Sequence, residues 1–383
     1  MKEFVQGIIL NILLRVFYIF PIKRNQVICL NFNGKGFGES PKYISKEIIN
    51  SRKEIDIYWV VNDMNDLTIP SKIKKVKYKS LRFFKILYTS GVIINDTRFG
   101  LYFNKRKQQL YIQTWHGCLA FKKIENDALK KLPSNYIKLM KHDSKMIDVM
   151  ISNSDFFNKL CEKAFLYNGR IIKIGCPKED VLINENQSTI RNEICNLLKI
   201  NYKSLLIVYA PTFRINYENN PYDIDFRLIK KTILGKYNMD CEILVKLHPL
   251  SIDKYKIDNN KDIINVNKYS DIQKLLLAAD IIITDYSSIM FDGLIANKPV
   301  ILYAKDIKNY NKERGCYFTF DELPFLFAQN NSELVDIIKN NDLNEMKDNY
   351  NEFTKKVGLI KNGNASKKVY DLINSYINGE NNE

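Results

Sequence analysis

The sequence predicts an α/β protein with two doubly wound parallel sheets. Short runs rich in β-branched residues alternate with helical stretches, which is typical of parallel strands joined by helical crossovers. The alternation occurs twice, on either side of a polar stretch at residues 184–189. The chain has 383 residues, more than one typical hydrophobic core accommodates. We therefore expect two similar, Rossmann-like α/β domains that face each other across a central cleft.

Nine runs carry the strand pattern, five in the first series and four in the second. They are residues 26–32, 55–61, 92–95, 110–114, 149–152, 205–210, 243–247, 281–284 and 300–303. Ligands of such sheets bind beyond the carboxyl ends of the strands, so residues that directly follow a strand are the candidates for function. The predicted divisions are an N-terminal helix at 1–24, an N-terminal domain at 25–185, a C-terminal domain at 186–375 and a polar tail at 376–383.

The N-terminal segment has the pattern of an amphipathic helix. Small or polar residues recur at helical spacing and leave a broad apolar face: Gly7, Asn11, Arg15 and Tyr18. The apolar run at residues 4–20 contains Arg15 and is marginally short for a membrane span, and no small-residue cleavage site follows it. Two interpretations stay open: a helix that lies in a membrane interface, or a helix packed onto its own domain.

The charge balance predicts anionic partners. Lys and Arg total 58 against 43 Asp and Glu, which gives a net charge of +15. Nucleic acid, acidic lipid and phosphorylated substrates would all be attracted. The seven cysteines are odd in number, scattered and never spaced as a C-x-x-C pair, which argues against a disulfide framework and a zinc site and indicates a reducing, cytoplasmic setting.

Two of the three histidines follow strand-like runs in different predicted domains. His116 follows the run at 110–114 and precedes Gly117, which allows close approach of a substrate; a histidine there can act as a general base. In the second domain, strand alternation delivers Lys246 and His248 to a strand end that Pro249 terminates. A cation and an imidazole together suit a phosphate. A purely structural histidine is the alternative at both places.

The run at 281–284 leads into the densest group of polar residues in the sequence. Ser287 and Ser288 are predicted to cap the following helix and to leave its backbone N–H groups for an anion such as a diphosphate. An ordinary serine cap would account for these two residues. It would leave Thr284, Asp285 and Asp292 without a reason.

Two loop segments each deliver an arginine that could contact phosphate. Thr212 and Arg214 follow the run at 205–210, and Arg314 follows the run at 300–303. Arginine suits bidentate phosphate contact, although a single loop arginine is usually only solvated.

A glycine-rich loop with Gly34 and Lys35 follows the first strand. It lacks the G-x-G-x-x-G spacing and a Walker lysine, which disfavours NAD and ATP. The sequence shows no dense carboxylate cluster, so we expect no tightly bound metal.

Together these segments form an ordered set of short motifs between Asn31 and about Pro324. The set consists of Asn33-Gly34-Lys35-Gly36 with Ser40-Pro41-Lys42, Trp59-Val60-Val61-Asn62, Gln113-Thr114-Trp115-His116-Gly117, Ser152-Asn153-Ser154, Gly175-Cys176-Pro177, Tyr209-Ala210-Pro211-Thr212, His248-Pro249, Thr284-Asp285-Tyr286-Ser287-Ser288 and Arg314-Gly315. In this order they resemble the CDP-glycerol glycerophosphotransferase family, the teichoic acid primases and polymerases and their capsule relatives. The chain departs from the family at Cys176, often an aromatic residue there, and at Phe213, usually Trp.

The resemblance implies a two-domain GT-B fold and a peripheral protein at the cytoplasmic face of the cell membrane. It implies that the C-terminal domain holds CDP-glycerol or CDP-ribitol as donor substrate, with no tightly bound cofactor. The acceptor, a lipid-linked or capsular glycan, would approach the N-terminal domain near Gly34, Lys35, Trp115 and Gly117.

The expected reaction is transfer of a polyol phosphate. His116 would deprotonate an acceptor hydroxyl, which attacks the β-phosphorus in line and expels CMP. His248, Lys246, Thr212, Thr284, Ser287 and Ser288 would bind the donor. Arg214 or Arg314 would offset its charge, and Asp285 and Asp292 would orient neighbouring groups or contact the polyol.

Two other functions fit the same pattern. One is a GT-B glycosyltransferase that uses a nucleotide-sugar donor, and the other is a non-catalytic binding or scaffold protein. The basic residues are spread along the chain and no nucleic-acid motif is found, so we expect no nucleic-acid partner. Glycerol or ribitol as the polyol, addition of one unit or many, and the oligomeric state stay open.

Overall fold

The computed structural model describes residues 2–212, 223–248, 251, 262–307 and 315–380, without the side chains of residues 2–5, 8 and 129–131. The chain forms two compact units. The first consists of Met1–Cys118, Ile124–Asp180 and Leu359–Glu383, and the second of Leu119–Lys123 and Val181–Gly358.

The first unit is built on a seven-stranded parallel sheet. Its strands are β1 (Lys23–Leu30), β2 (Asp56–Val61), β3 (Lys74–Lys77), β4 (Ser90–Asn95), β5 (Leu110–Gln113), β6 (Val149–Ser152) and β7 (Arg170–Lys173). The spatial order is β3-β2-β1-β4-β5-β6-β7, so the chain changes direction across the sheet between β1 and β4. In a doubly wound sheet that switch point is where ligands bind, beyond the carboxyl ends of the strands.

Five helices of this unit precede the return of the chain's C-terminal helix. They are α1 (Lys2–Leu14), α2 (Glu39–Asn50), α3 (Leu81–Thr89), α4 (Ser134–Ser144) and α5 (Asp155–Lys163). The hydroxyls of Ser80 and Ser154 accept the backbone N–H groups of Phe83 and Phe157, which starts α3 and α5 with side-chain caps. The predicted helix at 1–24 is shorter than expected, because α1 ends at Leu14 and a 3₁₀ segment leads into β1.

The second unit contains a six-stranded parallel sheet with the order β10-β9-β8-β11-β12-β13. In chain order its elements are α6 (Asp180–Asn184), which begins at the boundary, α7 (Gln187–Leu198), β8 (Leu205–Ala210), α8 (Phe226–Tyr237), β9 (Cys241–Val245), β10 (Ile264–Asn265), α9 (Ile272–Ala278), β11 (Ile281–Thr284), α10 (Ile289–Ile295), β12 (Val300–Tyr303), β13 (Leu326–Ala328), α11 (Asn331–Asn340) and α12 (Tyr350–Val357). The switch point of this sheet lies between β8 and β11.

The last helix, α13 (Ala365–Asn378), returns to the first unit. Its residues Val369, Tyr370 and Ile373 are buried in the core that also contains Val27 of β1 and Ile44 of α2. The predicted C-terminal domain extended to residue 375, so the compact units differ from the prediction in this helix, and the predicted tail at 376 begins inside it. An amphipathic pattern indicates that a helix is covered, but it does not indicate by which sheet.

The predicted α/β class with two doubly wound sheets is confirmed, and all nine predicted strands are present. The four strands that the sequence pattern missed are β3, β7, β10 and β13, and each is the edge of its sheet. Edge strands are short and carry charge, as Lys74–Lys77 and Arg170–Lys173 do, so they lack the continuous apolar run of a buried parallel strand. None of the helices in the described part of the chain has the length and hydropathy of a bilayer span.

Candidate active site

His116 lies just beyond β5, near the switch point of the first sheet. Its Nδ1 is 2.8 Å from the main-chain oxygen of Asp96, the residue that follows β4. A carbonyl oxygen can only accept, so Nδ1 carries the hydrogen and Nε2 of the neutral ring holds a lone pair. Burial lowers the pKa of His116 to about 4, although the Asp96 carbonyl acts in the opposite direction. The ring is therefore neutral at pH 7 and can take a proton on Nε2.

Two aromatic rings hold the imidazole in place. The ring of Trp115 stacks on it with centroids 4.4 Å apart, and the ring of Phe32 lies 4.9 Å away. Trp115 has a φ of +51°, a left-handed conformation that costs a non-glycine residue about 1 kcal/mol. The side chain of Gln113 supports this turn, since its Oε1 accepts the N–H of Trp115 at 2.9 Å. The backbone turn and the two rings together fix the orientation of His116.

A buried ion-pair network lies behind Trp115. The guanidinium of Arg98 is within 3.0 Å of carboxylates of both Glu125 and Asp143, and its central carbon is 5.7 Å from the Trp115 ring centroid. Asp143 also accepts the hydroxyl of Tyr111 at 3.2 Å. Removing one member would leave an uncompensated buried charge, which typically costs 3 to 5 kcal/mol. The ion-pair network is therefore a buried structural support behind Trp115.

Three buried oxygen atoms at the carboxyl ends of β1 and β4, or just beyond them, have no hydrogen-bond partner among the described residues: Asn31 Oδ1, Glu39 Oε2 and Asp96 Oδ2. We call these three residues the oxygen cluster. Lys178 Nζ is 3.4 Å from Glu39 Oε2. Burial raises the pKa of Asp96 well above its usual range, against the hydrogen bond from Phe32 N and together with the charge of Glu39. Asn31 Oδ1 and Glu39 Oε2 accept hydrogen bonds, whereas the raised pKa of Asp96 favours a protonated carboxyl that can donate from Oδ2. Hydroxyl groups both donate and accept, so they match all three atoms.

The glycine-rich loop follows β1 and packs on β2. Gly34 has a φ of +92°, and a Cβ there would lie 3.1 Å from backbone atoms of Val61 and Asn62, so only glycine fits. Its carbonyl accepts the N–H of Asn62 at 2.8 Å. Lys35 is exposed and Gly117 is half-buried next to His116. The predicted acceptor-side residues thus follow β1 and β5 at the same edge of the sheet.

The polar turn after β11 holds the strand ends of the second sheet together. Thr284 Oγ1 donates to the carbonyl of Ala210 at 2.7 Å, which joins the ends of β11 and β8 at the switch point. Asp285 Oδ1 accepts the backbone N–H groups of Thr212 at 2.9 Å and of Tyr286 at 2.6 Å. Asp285 therefore fixes the turn, a role that the sequence pattern left open between orientation and polyol contact.

The predicted serine cap is wrong for one of the two serines. Ser288 occupies the N-cap position of α10 but has helical backbone angles, and its side chain makes no cap bond. A capping serine needs an extended backbone to reach back to the helix. Ser287 Oγ accepts the N–H of Ile289 at 3.3 Å. Both serines are half-buried, whereas Asp292 is buried within α10.

The side chains of Lys246 and His248, which follow β9, have different environments. Lys246 Nζ donates to the carbonyls of Asn267 at 2.9 Å and Tyr269 at 2.6 Å, and burial lowers its pKa to about 8. Its ammonium therefore ties β9 to the segment after β10. His248 is exposed, and its carbonyl accepts the N–H of Ser251 at 2.7 Å. The predicted Arg214 and Arg314 lie outside the described residues, as does Pro249.

Sequence reasoning missed Asp96, Arg98 and Lys178. Asp96 directly follows the strand-like run at 92–95, so the rule that pointed to His116 would also have pointed to it. Arg98 gave no local signal, because its two carboxylate partners lie 27 and 45 residues away.

Several comparisons with known proteins point to the same family. The profile of the family described as CDP-glycerol:poly(glycerophosphate) glycerophosphotransferase matches residues 12–375. The chain is 28% identical to a teichoic acid poly(glycerol phosphate) polymerase of Staphylococcus epidermidis over 93% of its own length and 51% of the relative. It is 30% identical to a teichoic acid glycerol-phosphate primase of Bacillus subtilis, over 76% of this chain and 75% of the relative. The chain spans about half the length of the polymerases that it matches first, 51% and 49%.

The structure is similar to that of the wall teichoic acid polymerase TagF. The two superpose with a TM-score of 0.86 at 26% identity, over 100% of this chain and 98% of the TagF chain. A TagF variant soaked with CDPG superposes with a TM-score of 0.85. The predicted GT-B-like fold class is thereby confirmed.

Proposed function

Because the chain belongs to the CDP-glycerol:poly(glycerophosphate) glycerophosphotransferase family, we propose that it transfers a glycerol-phosphate unit from CDP-glycerol to a hydroxyl group of a lipid-linked or glycan acceptor. The transfer serves teichoic acid or capsular polysaccharide synthesis and releases CMP. The observation that carries the proposal is His116, a neutral imidazole whose tautomer is fixed by the Asp96 carbonyl at 2.8 Å.

In the proposed reaction Nε2 of His116 takes the proton of the acceptor hydroxyl. The hydroxyl oxygen forms a bond to the β-phosphorus of CDP-glycerol, the bond between that phosphorus and the bridging oxygen breaks, and CMP leaves with the electron pair. A base with a pKa of about 4 is weak in the free protein. The negative charge of a bound diphosphate favours the imidazolium and raises this pKa towards neutrality, where general base catalysis works best.

The oxygen cluster suits the polyol end of the acceptor. Glu39 and Asn31 offer acceptor oxygens and the carboxyl of Asp96 can donate, and the hydroxyls of a glycerol unit can meet both kinds of group. Asp96 has two roles in the proposal, because its carbonyl orients His116 and its carboxyl belongs to the oxygen cluster. A polyol held there would bring one hydroxyl to the imidazole. In the proposed reaction this positioning of the reacting groups is a main source of the rate acceleration.

The donor-binding role belongs to the second unit. We assign its phosphates to the strand ends at β8, β9 and β11, with contacts from Thr212, Thr284, Ser287, Ser288 and His248. Arg214 and Arg314 supply positive charge, as the resemblance implies. Lys246 and Asp285 belong to the same proposed donor site and also hold its backbone, through the contacts of their side chains. Asp292, buried in α10, stays an orienting residue.

The proposal includes a location and a cofactor requirement. The protein acts at the cytoplasmic face of the cell membrane as a peripheral protein, which its excess of basic residues favours. The transfer needs no tightly bound metal, because positioning and cationic side chains offset the phosphate charge. Turnover that persists in a chelator is the expected result; loss in chelator with recovery only on adding a divalent ion would contradict this part.

Nucleotide release tests the reaction class. Purified protein is offered CDP-glycerol, CDP-ribitol and UDP-glucose in turn, with a membrane-lipid extract as acceptor. Release of CMP from a CDP-polyol is expected and names the donor. Release of UDP would identify a glycosyltransferase instead. Silence with all three donors, from a protein with a cooperative unfolding transition, would favour a non-catalytic scaffold.

A further inference from the structure

Phe32 carries an exposed aromatic ring beside the proposed base. It follows Asn31 at the carboxyl end of β1 and is 36% exposed. Its ring lies 4.9 Å from the imidazole of His116, centroid to centroid, at an interplanar angle of 48°. A single exposed aromatic residue on a protein surface needs no explanation, so exposure alone assigns no role to Phe32.

The backbone of Phe32 is strained. Its φ is +40°, in the left-handed region that bulky side chains rarely adopt, and Asn33 follows with a φ of +56°. Two consecutive non-glycine residues in this region are unfavourable, because the Cβ of each crowds its own backbone. Such strain persists only where surrounding contacts hold it, and it is common at sites that bind ligands.

Contacts from three strand ends hold this strained loop in place. Asp96 Oδ1 accepts the N–H of Phe32 at 2.9 Å. The carbonyl of Asn33 accepts the side-chain amide of Asn62 at 3.2 Å, and its Oδ1 accepts the hydroxyl of Tyr78 at 3.1 Å. The three partners directly follow β4, β2 and β3. These contacts together keep an apolar ring partly in water, next to the imidazole.

Support of His116 alone does not account for the exposure of Phe32. Trp115 already stacks on the imidazole with centroids 4.4 Å apart, and it is buried. A ring that served only to hold His116 would be stabilised by deeper burial, because removal of apolar surface from water is favourable. The exposed part of the Phe32 ring is therefore left for a ligand.

The groups around Phe32 match the two kinds of surface that a sugar ring has. A pyranose presents C–H groups on its faces and hydroxyl groups on its rim. The face of an aromatic ring is the negative side of its quadrupole, so it attracts C–H hydrogens, and both surfaces are apolar. The oxygen cluster supplies partners for the hydroxyl groups, since Asn31 precedes Phe32 and Asp96 accepts its N–H. An open-chain glycerol has the hydroxyl groups but no ring face.

We propose that Phe32 is a specificity-determining residue, on whose ring a pyranose of the acceptor stacks while the oxygen cluster binds its hydroxyl groups. The hydroxyl presented to His116 then belongs to a sugar and not to the end of a glycerol phosphate polymer. The inference deepens the proposed function, on which its place in the reaction rests. The stacking itself can be measured without any donor.

Saturation-transfer NMR on the full chain tests the stacking. The probes are methyl β-glucopyranoside, methyl N-acetyl-β-glucosaminide and glycerol, with saturation of the aromatic protons of the protein. The wild type should transfer saturation to the axial ring hydrogens of a glycoside about threefold more strongly than to glycerol, because only the glycosides have a face to stack. Phe32→Leu should lose this difference, and Phe32→Tyr, which keeps the aromatic face, should retain it.

Two further variants control for unspecific contact and for folding. Tyr18 is similarly exposed, by 39%, and its ring also lies against another ring, that of Tyr88, with centroids 5.5 Å apart. Tyr18→Leu is therefore the matched control and should leave the transfer unchanged. Phe32→Gly should lose the transfer and stay folded, because glycine adopts a positive φ without strain.

Three NMR results would overturn the proposal. Equal losses in Phe32→Leu and Tyr18→Leu would mean that sugars contact any exposed ring. Absence of transfer to both glycosides in the wild type would exclude the stacking. Transfer from Phe32 to the base of added CMP, in place of the glycosides, would assign the ring to the nucleotide.

Turnover separates a stacked acceptor from an oriented base. CMP release from CDP-glycerol is measured with two soluble acceptors that share one alkyl tail, octyl β-glucoside and octyl glycerol ether. Phe32→Leu should lower kcat/KM for the glucoside about tenfold more than for the ether, chiefly through KM, because an aromatic contact of this kind is lost only with the sugar. Equal losses would mean that Phe32 acts only through His116 and would contradict the proposal. Absence of CMP release from the wild type would contradict the proposed function, whereas the NMR result would still decide the stacking.

Discussion

The two histidines at strand ends of the two sheets are held in opposite ways. The ring of His116 lies between the rings of Trp115 and Phe32, and the Asp96 carbonyl sets its tautomer. Burial lowers its pKa to about 4. His248 is exposed at the end of β9, and the buried polar groups near that end, Lys246 among them, serve the backbone. The difference teaches that similar sheets can be used differently. In the first unit the buried contacts orient a reactive ring, and in the second they hold the backbone of the loops at the strand ends.

Replacing His116 gives the largest expected effect. His116→Ala should lower turnover by about 10²-fold or more, because it removes the general base, while CDP-glycerol binding stays intact. His116→Asn is the matched control, since its amide can still donate to the Asp96 carbonyl but cannot take a proton. Both variants should lose CMP release, and the Asn variant should retain more thermal stability. Wild-type turnover in either would exclude His116 as the base.

Replacing Asp285 tests whether the polar turn of the second unit is structural. Asp285→Ala leaves two buried N–H groups without acceptors, which should cost about 2 kcal/mol, or roughly a 30-fold change in the unfolding equilibrium. The urea midpoint should fall accordingly. Asp285→Asn keeps one acceptor oxygen and should recover most of the loss. If both variants unfold like the wild type but bind CDP-glycerol more weakly, Asp285 contacts the donor directly.

Replacing His248 should have a smaller effect than replacing His116. An exposed imidazole that contacts a phosphate typically contributes a hydrogen bond to a charged group, so His248→Ala should weaken CDP-glycerol binding by about tenfold. Slower chemistry should accompany the weaker binding. Calorimetric titration of CDP-glycerol measures the first effect and CMP release at saturating donor the second. Unchanged donor affinity would remove His248 from the donor site and leave it as a surface residue.

The sequence was sufficient for the class of fold and for the position of the proposed base. Buried parallel strands are continuous apolar runs, so both sheets and the residues at their carboxyl ends could be located, including His116 and Asp285. The residues that support these positions could not be located from the sequence. Arg98 meets carboxylates far away in the chain, and α13 joins a sheet built from the other end of the sequence. Such pairings depend on tertiary packing, which leaves no local pattern.

The helix α1 shows a different limit. The spacing of Gly7 and Asn11 revealed an apolar face but could not decide whether that face turns inward or outward. The partners decide it: Asn104 and Leu101 meet the polar stripe, so the apolar stripe is left outside. The rule that apolar faces are buried within the protein would have given the opposite orientation.

The smallest expected effect concerns pH, and it separates a buried base from an ordinary histidine. The pKa of His116 is lowered to about 4, so the free protein keeps the base unprotonated above that value and loses it only as pH falls through it. The pH dependence of kcat/KM for the donor reports the pKa values of the free enzyme. Protonation of His116 should therefore change kcat/KM by less than about twofold between pH 8 and pH 6. A histidine with the ordinary pKa near 6.5 would be about three-quarters protonated at pH 6 and would lower kcat/KM about fourfold. A fourfold decline that is absent from the residual activity of His116→Asn would show that the ring is hydrated in solution and that burial does not set its pKa.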